Sequence, residues 1–212
     1  MKKILVILVL LAVGFVVGVT LSWLYTGGPA PLPIECPTPA GKGLPATGQT
    51  VCYGTVEGQG WVPVPCDNPE FPGQDGFYKA GCPTEGRFVD NKDDTVTDTC
   101  TGLMWQRDTA PGTYIWQDAL KYCDSLSFAG HDDWRLPNVR ELQSIVDYGR
   151  FGPAIDPVFV ALSDWYWSSS SGVFNPDGAW DVNLFLVGFV SGYVGRGIEV
   201  TPGFVRAVRS GP

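Results

Sequence analysis

Histidine is nearly absent, His131 being the only one in 212 residues. That excludes metal centres built from histidine clusters, and a catalytic dyad would have to pair His131 with a nucleophile distant in the chain. Basic residues are scarce too, with 14 Lys and Arg against 22 Asp and Glu for a formal charge of -8. This balance excludes nucleic acid and argues against polyanionic ligands, since both are attracted by clustered cations. Residues 84–133 hold much of the deficit, four bases (Arg87, Lys92, Arg107, Lys121) standing against ten acids. The cysteines show no CxxC spacing, which removes the usual zinc-site pattern. Ser168–Ser171 lacks the strand-turn-helix setting of a nucleophile elbow, and no long repeat or heptad run occurs.

Lys2 and Lys3 precede an uninterrupted apolar run, residues 4–25. As a helix it would reach about 33 Å, enough for a hydrocarbon core of about 30 Å. A cleaved signal has a shorter apolar core and a small-x-small site, which Thr20–Thr26 does not offer. Trp23 and Tyr25 suit an interfacial aromatic belt, and the two lysines set the N-terminus inside. Residues 1–26 therefore read as a single-pass anchor, with a signal segment as the alternative. Residues 27–47, rich in Pro and Gly, read as a linker, 48–83 as a disulfide-pinned lead-in, and 84–212 as one globular domain.

All six cysteines lie beyond the anchor, as expected of disulfides in an oxidising compartment. Cys52–Cys66 brackets a short Gly- and Pro-rich loop, whose closure is worth about 3 kcal/mol in the chain-entropy model. Cys100–Cys123 is the next pairing, and Cys36–Cys82 follows by exclusion.

Within the domain, Arg87–Asp90 and Thr95–Asp98 form a hairpin around Asn91–Asp94, and the second piece continues to Trp105. Trp116, Ala119, Leu120, Cys123 and Leu126 recur at helical spacing. Leu136 before Pro137 is biased to extended geometry, and Asn138 with Glu141 has the form of a capping box. A second helix is thus expected from 137–139, with Val139, Leu142, Ile145 and Val146 buried and Gly149 as its stop. Strands follow at 165–168, 179–185, 189–193 and 204–209. Helices before strands predict an α+β fold with an antiparallel sheet.

Several stretches carry a resemblance: Leu44-Pro-Ala-Thr-Gly-Gln49 with Cys52-Tyr53, then Arg87–Asn91, Thr95–Asp98, Thr101-Gly-Leu-Met-Trp105, Trp134-Arg-Leu-Pro-Asn138, Tyr166-Trp-Ser-Ser169 and Phe204–Arg209. Together, over about 44–210, they resemble the Lcl C-terminal domain family, named for the collagen-like adhesin that carries it. WRLP and the closing VRAVR also resemble the wider C-type-lectin-like group. The resemblance implies two helices packed on a twisted antiparallel sheet with long loops, and binding or adhesion in place of catalysis. The adhesin's ligands are sulfated polysaccharides, a class that the acidic balance here disfavours. Formylglycine-generating relatives need a redox cysteine pair late in the domain, and no cysteine follows Cys123.

Asp90, Asp93, Asp94 and Asp98 concentrate the hard oxygens that calcium prefers, but without EF-hand spacing; a solvated acidic hairpin is the leading reading and a calcium site the alternative. Trp180-Asp181-Val182-Asn183 faintly echoes a lectin calcium element whose partner tripeptide is missing. Strand alternation puts Trp180, Val182 and Leu184 in the core and turns Asp181 and Asn183 away. Trp134 and Leu136 read as core and Arg135 as an internal tie to a carboxylate or carbonyl. Residues 184–190 hold six apolar side chains out of seven, a departure from the family pattern. Phe185, Val187 and Phe189 read either as the centre of an interface, with a second copy of the chain among its candidate partners, or as a thicker local core under the cysteine-rich lead-in.

The expectation is an anchored bacterial cell-envelope domain, extracytoplasmic and non-catalytic, binding polysaccharide or a cell-surface protein. Trp165, Tyr166, Phe174 and Tyr193 are its stacking candidates. A structural component of an envelope or secretion assembly, acting through 184–190, is the alternative.

Overall fold

Pro137 stops the extended WRL segment, and the next turn is a helix closed by side chains from its own first turn. The Asn138 side chain accepts from the backbone N–H groups of Arg140 and Glu141, while Glu141 reaches back to the Asn138 N–H at 2.8 Å. This capping box fixes the helix start at Val139. The structure, a computed structural model, describes residues 43–172, 178–184, 201–211 and, as backbone, 193–198.

The elements in order are β1 (Cys52–Val56), β2 (Gly60–Val64), α1 (Asp75–Tyr78), β3 (Phe88–Asp90), β4 (Thr95–Asp98), β5 (Leu103–Gln106), α2 (Trp116–Asp124), α3 (Val139–Ser144), β6 (Trp165–Ser171), β7 (Gly178–Asn183), β8 (Tyr193–Ile198) and β9 (Val208–Ser210). β1 and β2 form a hairpin, β3-β4-β5-β9 an antiparallel sheet, and β6-β7-β8 another. The fold is α+β with antiparallel sheets, as the order of patterns predicts.

Residues 203–208 join the two larger sheets. Phe204 donates to the Trp165 carbonyl at 3.1 Å and accepts from Trp167 at 2.9 Å, while Val208 exchanges two 2.9 Å bonds with Arg135. Alternation then sends neighbouring side chains to two separate cores. Trp105, Tyr166, Val182 and Val208 enter a cluster with Leu142 and Ile145 of the α3 region. Met104, Trp167, Ala179, Val205 and Ala207 enter one with Ala119 and Cys123 of α2 and with Trp134 and Leu136.

Several expectations need correction. α3 ends at Ser144, well short of Gly149, because the chain then turns to pair elsewhere: Tyr148 donates to the Thr47 carbonyl at 2.7 Å and Asp147 to Ala154 at 3.0 Å. Gly149 serves instead as a close backbone approach, where a Cβ would sit 2.4 Å from the Gly48 oxygen. Cys52–Cys66 is a disulfide, as expected, but Cys82 pairs with Cys100, which replaces both Cys100–Cys123 and Cys36–Cys82. The reason is placement. Cys123 sits fully buried on the core stripe of α2, whereas Cys100 follows β4 beside the segment that carries Cys82. Cys36, the apolar run 4–25 and most of the 27–47 linker lie outside the described residues.

Candidate functional site

α3 shapes one wall of the main groove. Its buried side is set by Leu142, with Val139 partly buried, and helical spacing puts Arg140 and Gln143 on the exposed side. The helix is oriented by Arg135, whose guanidinium makes two 2.7 Å bonds to the Glu141 carboxylate. Burial alone would raise the Glu141 carboxyl, but the Arg135 and Asn138 hydrogen bonds hold it below its ordinary value. Arg135 is thus the internal tie that its alternation with Trp134 and Leu136 suggests.

The opposite wall is the segment Leu44–Thr47. It is pinned by Ala46 donating to Cys82 and Cys82 to Leu44, both at 2.9 Å, by the Cys82–Cys100 disulfide, and by Thr47 donating to the Asp75 carboxylate. Trp180 contributes the aromatic surface. With Val146 and Tyr148 these residues enclose a groove of about 620 Å³. Its polar groups include the Arg140 guanidinium, the Gln143 amide and the Tyr148 hydroxyl, which accepts from Gln143 at 3.1 Å. Among the described residues no carboxylate lines it.

Trp180 corrects a core assignment. It shares the parity of Val182 and Leu184, both fully buried, but remains 39% exposed. Its side chain lines the groove together with Val139 and Val146. Asp181, expected to point into solvent, is buried because the sheet is covered on both faces.

The other predicted site residues do not converge on a pocket. Tyr166 is fully buried, its hydroxyl 2.7 Å from Thr109 Oγ1 and accepting from the Leu162 N–H at 2.9 Å. Trp165 is partly buried, edge-on to Trp167 at 4.8 Å, and lies so close over Gly203 that any Cβ there would strike its ring. Neither is a free stacking surface. Phe174, Phe185, Val187 and Phe189 lie outside the described residues, as does the Tyr193 side chain.

The acidic hairpin is divided among separate partners. Lys92 Nζ bonds Asp90 at 2.8 Å, Thr95 Oγ1 bonds Asp93 at 2.5 Å, and Arg107 pairs with Asp94. Asp98 is buried against Arg87, with bonds of 2.8 and 2.5 Å. Among the described residues no group of three or more His, Cys, Asp or Glu is arranged to hold a metal ion. The candidate calcium ligands serve as hairpin structure.

Sequence reasoning missed Arg140, Gln143, Trp180 and Leu44–Thr47 as parts of one site. Helical spacing already exposed Arg140 and Gln143, but no local pattern brings 44–47, placed in the linker, against a helix about a hundred residues later.

No curated protein matches the chain. A family model does match, that of the Lcl C-terminal domain, over residues 94–209. The match begins later than the resemblance read from 44 and leaves the lead-in outside it, but it covers more than half of the chain. Fold, motif order and family match together make this protein a member of the Lcl C-terminal domain family.

Proposed function

We propose that the protein is a membrane-anchored, extracytoplasmic recognition domain, non-catalytic, that binds polysaccharide at the groove between α3, Leu44–Thr47 and Trp180. The observation that carries this reading is the groove's lining. An indole exposed beside hydroxyl, amide and guanidinium donors matches a sugar, which has an apolar ring face and a polar rim. A C-type-lectin-like architecture, with two helices and long loops, is part of the proposal and agrees with the WRLP and VRAVR elements. The anchor reading rests on residues 4–25 and the disulfides on their compartment.

Glycan-array binding by the detergent-solubilised full chain tests the function. Binding that disappears in Trp180→Ala, with an unchanged melting temperature, is the expected result, and an array without binders rejects it. Mass-spectrometric detection of residues 1–25 in the membrane-extracted protein tests the anchor. A second reading, a structural part of an envelope assembly, draws support from another groove, of about 570 Å³, where Phe151 and Val160 are 79% and 58% exposed. Co-purified envelope proteins lost in Phe151→Ser would favour it.

A further inference from the structure

The distribution of cations singles out one side chain. Among the described residues seven Lys and Arg side chains are paired with carboxylates. Arg206 is buried against backbone carbonyls. Lys79 and Arg140 are the two exposed cations without an ion pair among the described residues, and their settings differ. Lys79 borders a hollow that also holds Asp75 and Glu85, whereas Arg140 borders the Trp180 groove, which has no acid in its lining. In a chain of formal charge -8, a groove whose described lining holds one guanidinium and no acid is a local reversal of sign.

We infer that the groove takes a saccharide bearing a single carboxylate, its ring against Trp180 and its carboxylate on Arg140; this rests on the groove binding sugar at all. The guanidinium is a planar fork that matches a carboxylate with two parallel hydrogen bonds. A sulfate ester can also offer the fork two oxygens, so a C6-sulfated sugar is the competitor from which the carboxylate must be told apart. Repeating polyanions are disfavoured by the field of the whole protein. The ligand is therefore an isolated acidic sugar, such as a uronyl residue, within an otherwise neutral glycan. Gln143, which lines the same groove, faces the sugar's own hydroxyl groups.

Matched disaccharides that differ only in a C6 alcohol or a C6 carboxylate, in the gluco, galacto and manno series, are titrated into the full-length protein in detergent. C6-sulfated counterparts and a short peptide with a free C-terminus complete the set. In at least one series the acid should bind about five- to tenfold more tightly than the alcohol, as expected for an exposed charge-assisted pair. Arg140→Gln should remove that gap by weakening the acid more than the alcohol, while Trp180→Ala weakens both and 0.5 M salt narrows the gap. Equal affinity for acid and alcohol, a gap that survives Arg140→Gln, preference for the sulfate, or binding of the peptide alone would each overturn the inference. If no disaccharide binds, the inference falls, and the glycan array decides separately whether the sugar-binding reading falls with it.

Discussion

Arg87 and Asp98 face each other at the base of the β3–β4 hairpin with side chains 2% and 0% exposed. Asp98 also accepts from Cys100 N at 3.0 Å and Thr101 Oγ1 at 2.6 Å, so one carboxylate closes the turn between β4 and β5. Burial by itself would raise its pKa, but the Arg87 and Thr101 hydrogen bonds win and hold it below the ordinary value. A folded pKa below the unfolded one gives stability that is complete above the unfolded value, near pH 4, and lost as pH falls through the folded value. Glu141 is lowered as well and acts in the same direction. Urea midpoints measured from pH 6 down to pH 2 should therefore fall, and fall less steeply in Asp98→Asn. At pH 7 that variant should lose about 3–5 kcal/mol, because Arg87 is left buried without its counter-charge. Cys123 shows a different residue-scale effect. Six cysteines suggested three bridges, but the helical stripe to which Cys123 belongs was the better guide. Burial pushes its thiol up to about 12, so the thiolate is rare at neutral pH. The peptide containing Cys123 should resist alkylation in native protein at pH 8 and label fully in denaturant, as followed by mass spectrometry; labelling without denaturant would contradict the buried site.

At the scale of elements, α3 was legible where the chemistry is local and illegible where it is not. Pro137, Asn138 and Glu141 announce its start, because the cap is made by residues within three positions of one another. Its end could not be read, since the hydrophobic stripe continues through Ile145 and Val146 while the backbone leaves the helix to meet Thr47 and Ala154. Trp180 is a similar case. It shares the parity of the buried Val182 and Leu184 but stays 39% exposed, because burial depends on what packs over the face, which no alternation records. The cap also bears on the groove, because Arg140 and Gln143 of the helix that it starts line it. Asn138→Ala should cost about 1 kcal/mol and lower the melting temperature by about 2–4 °C. Asn138→Asp should retain most of that stability, a contrast that calorimetry can resolve.

For the whole molecule, the decisive arrangement is the stretch 203–208, which knits two sheets and divides its side chains between two cores. Its VRAVR sequence advertised a strand and a family, but of those five residues only Val208 and Arg209 belong to β9, while Val205, Arg206 and Ala207 lie fully buried before it. Against this body the lead-in is an adjunct. The family match starts at residue 94, and residues 44–83 meet the domain through the Tyr148–Thr47 hydrogen bond, the Gly48–Gly149 approach and the Cys82–Cys100 disulfide. Its own hairpin is closed independently by Cys52–Cys66. The two disulfides therefore do different work, one holding the hairpin together and the other holding the groove wall Leu44–Thr47 in place. Replacing Cys82 and Cys100 by serine should loosen that wall with little effect on the body. Hydrogen exchange should then accelerate at 44–50 and 76–83, while β4, β5, β6 and α2 stay protected. Replacing Cys52 and Cys66 should instead free 52–66 and leave 44–47 protected. Uniform acceleration in the first variant would mean that the lead-in is integral to the core and that the groove is not a separable structure built between them.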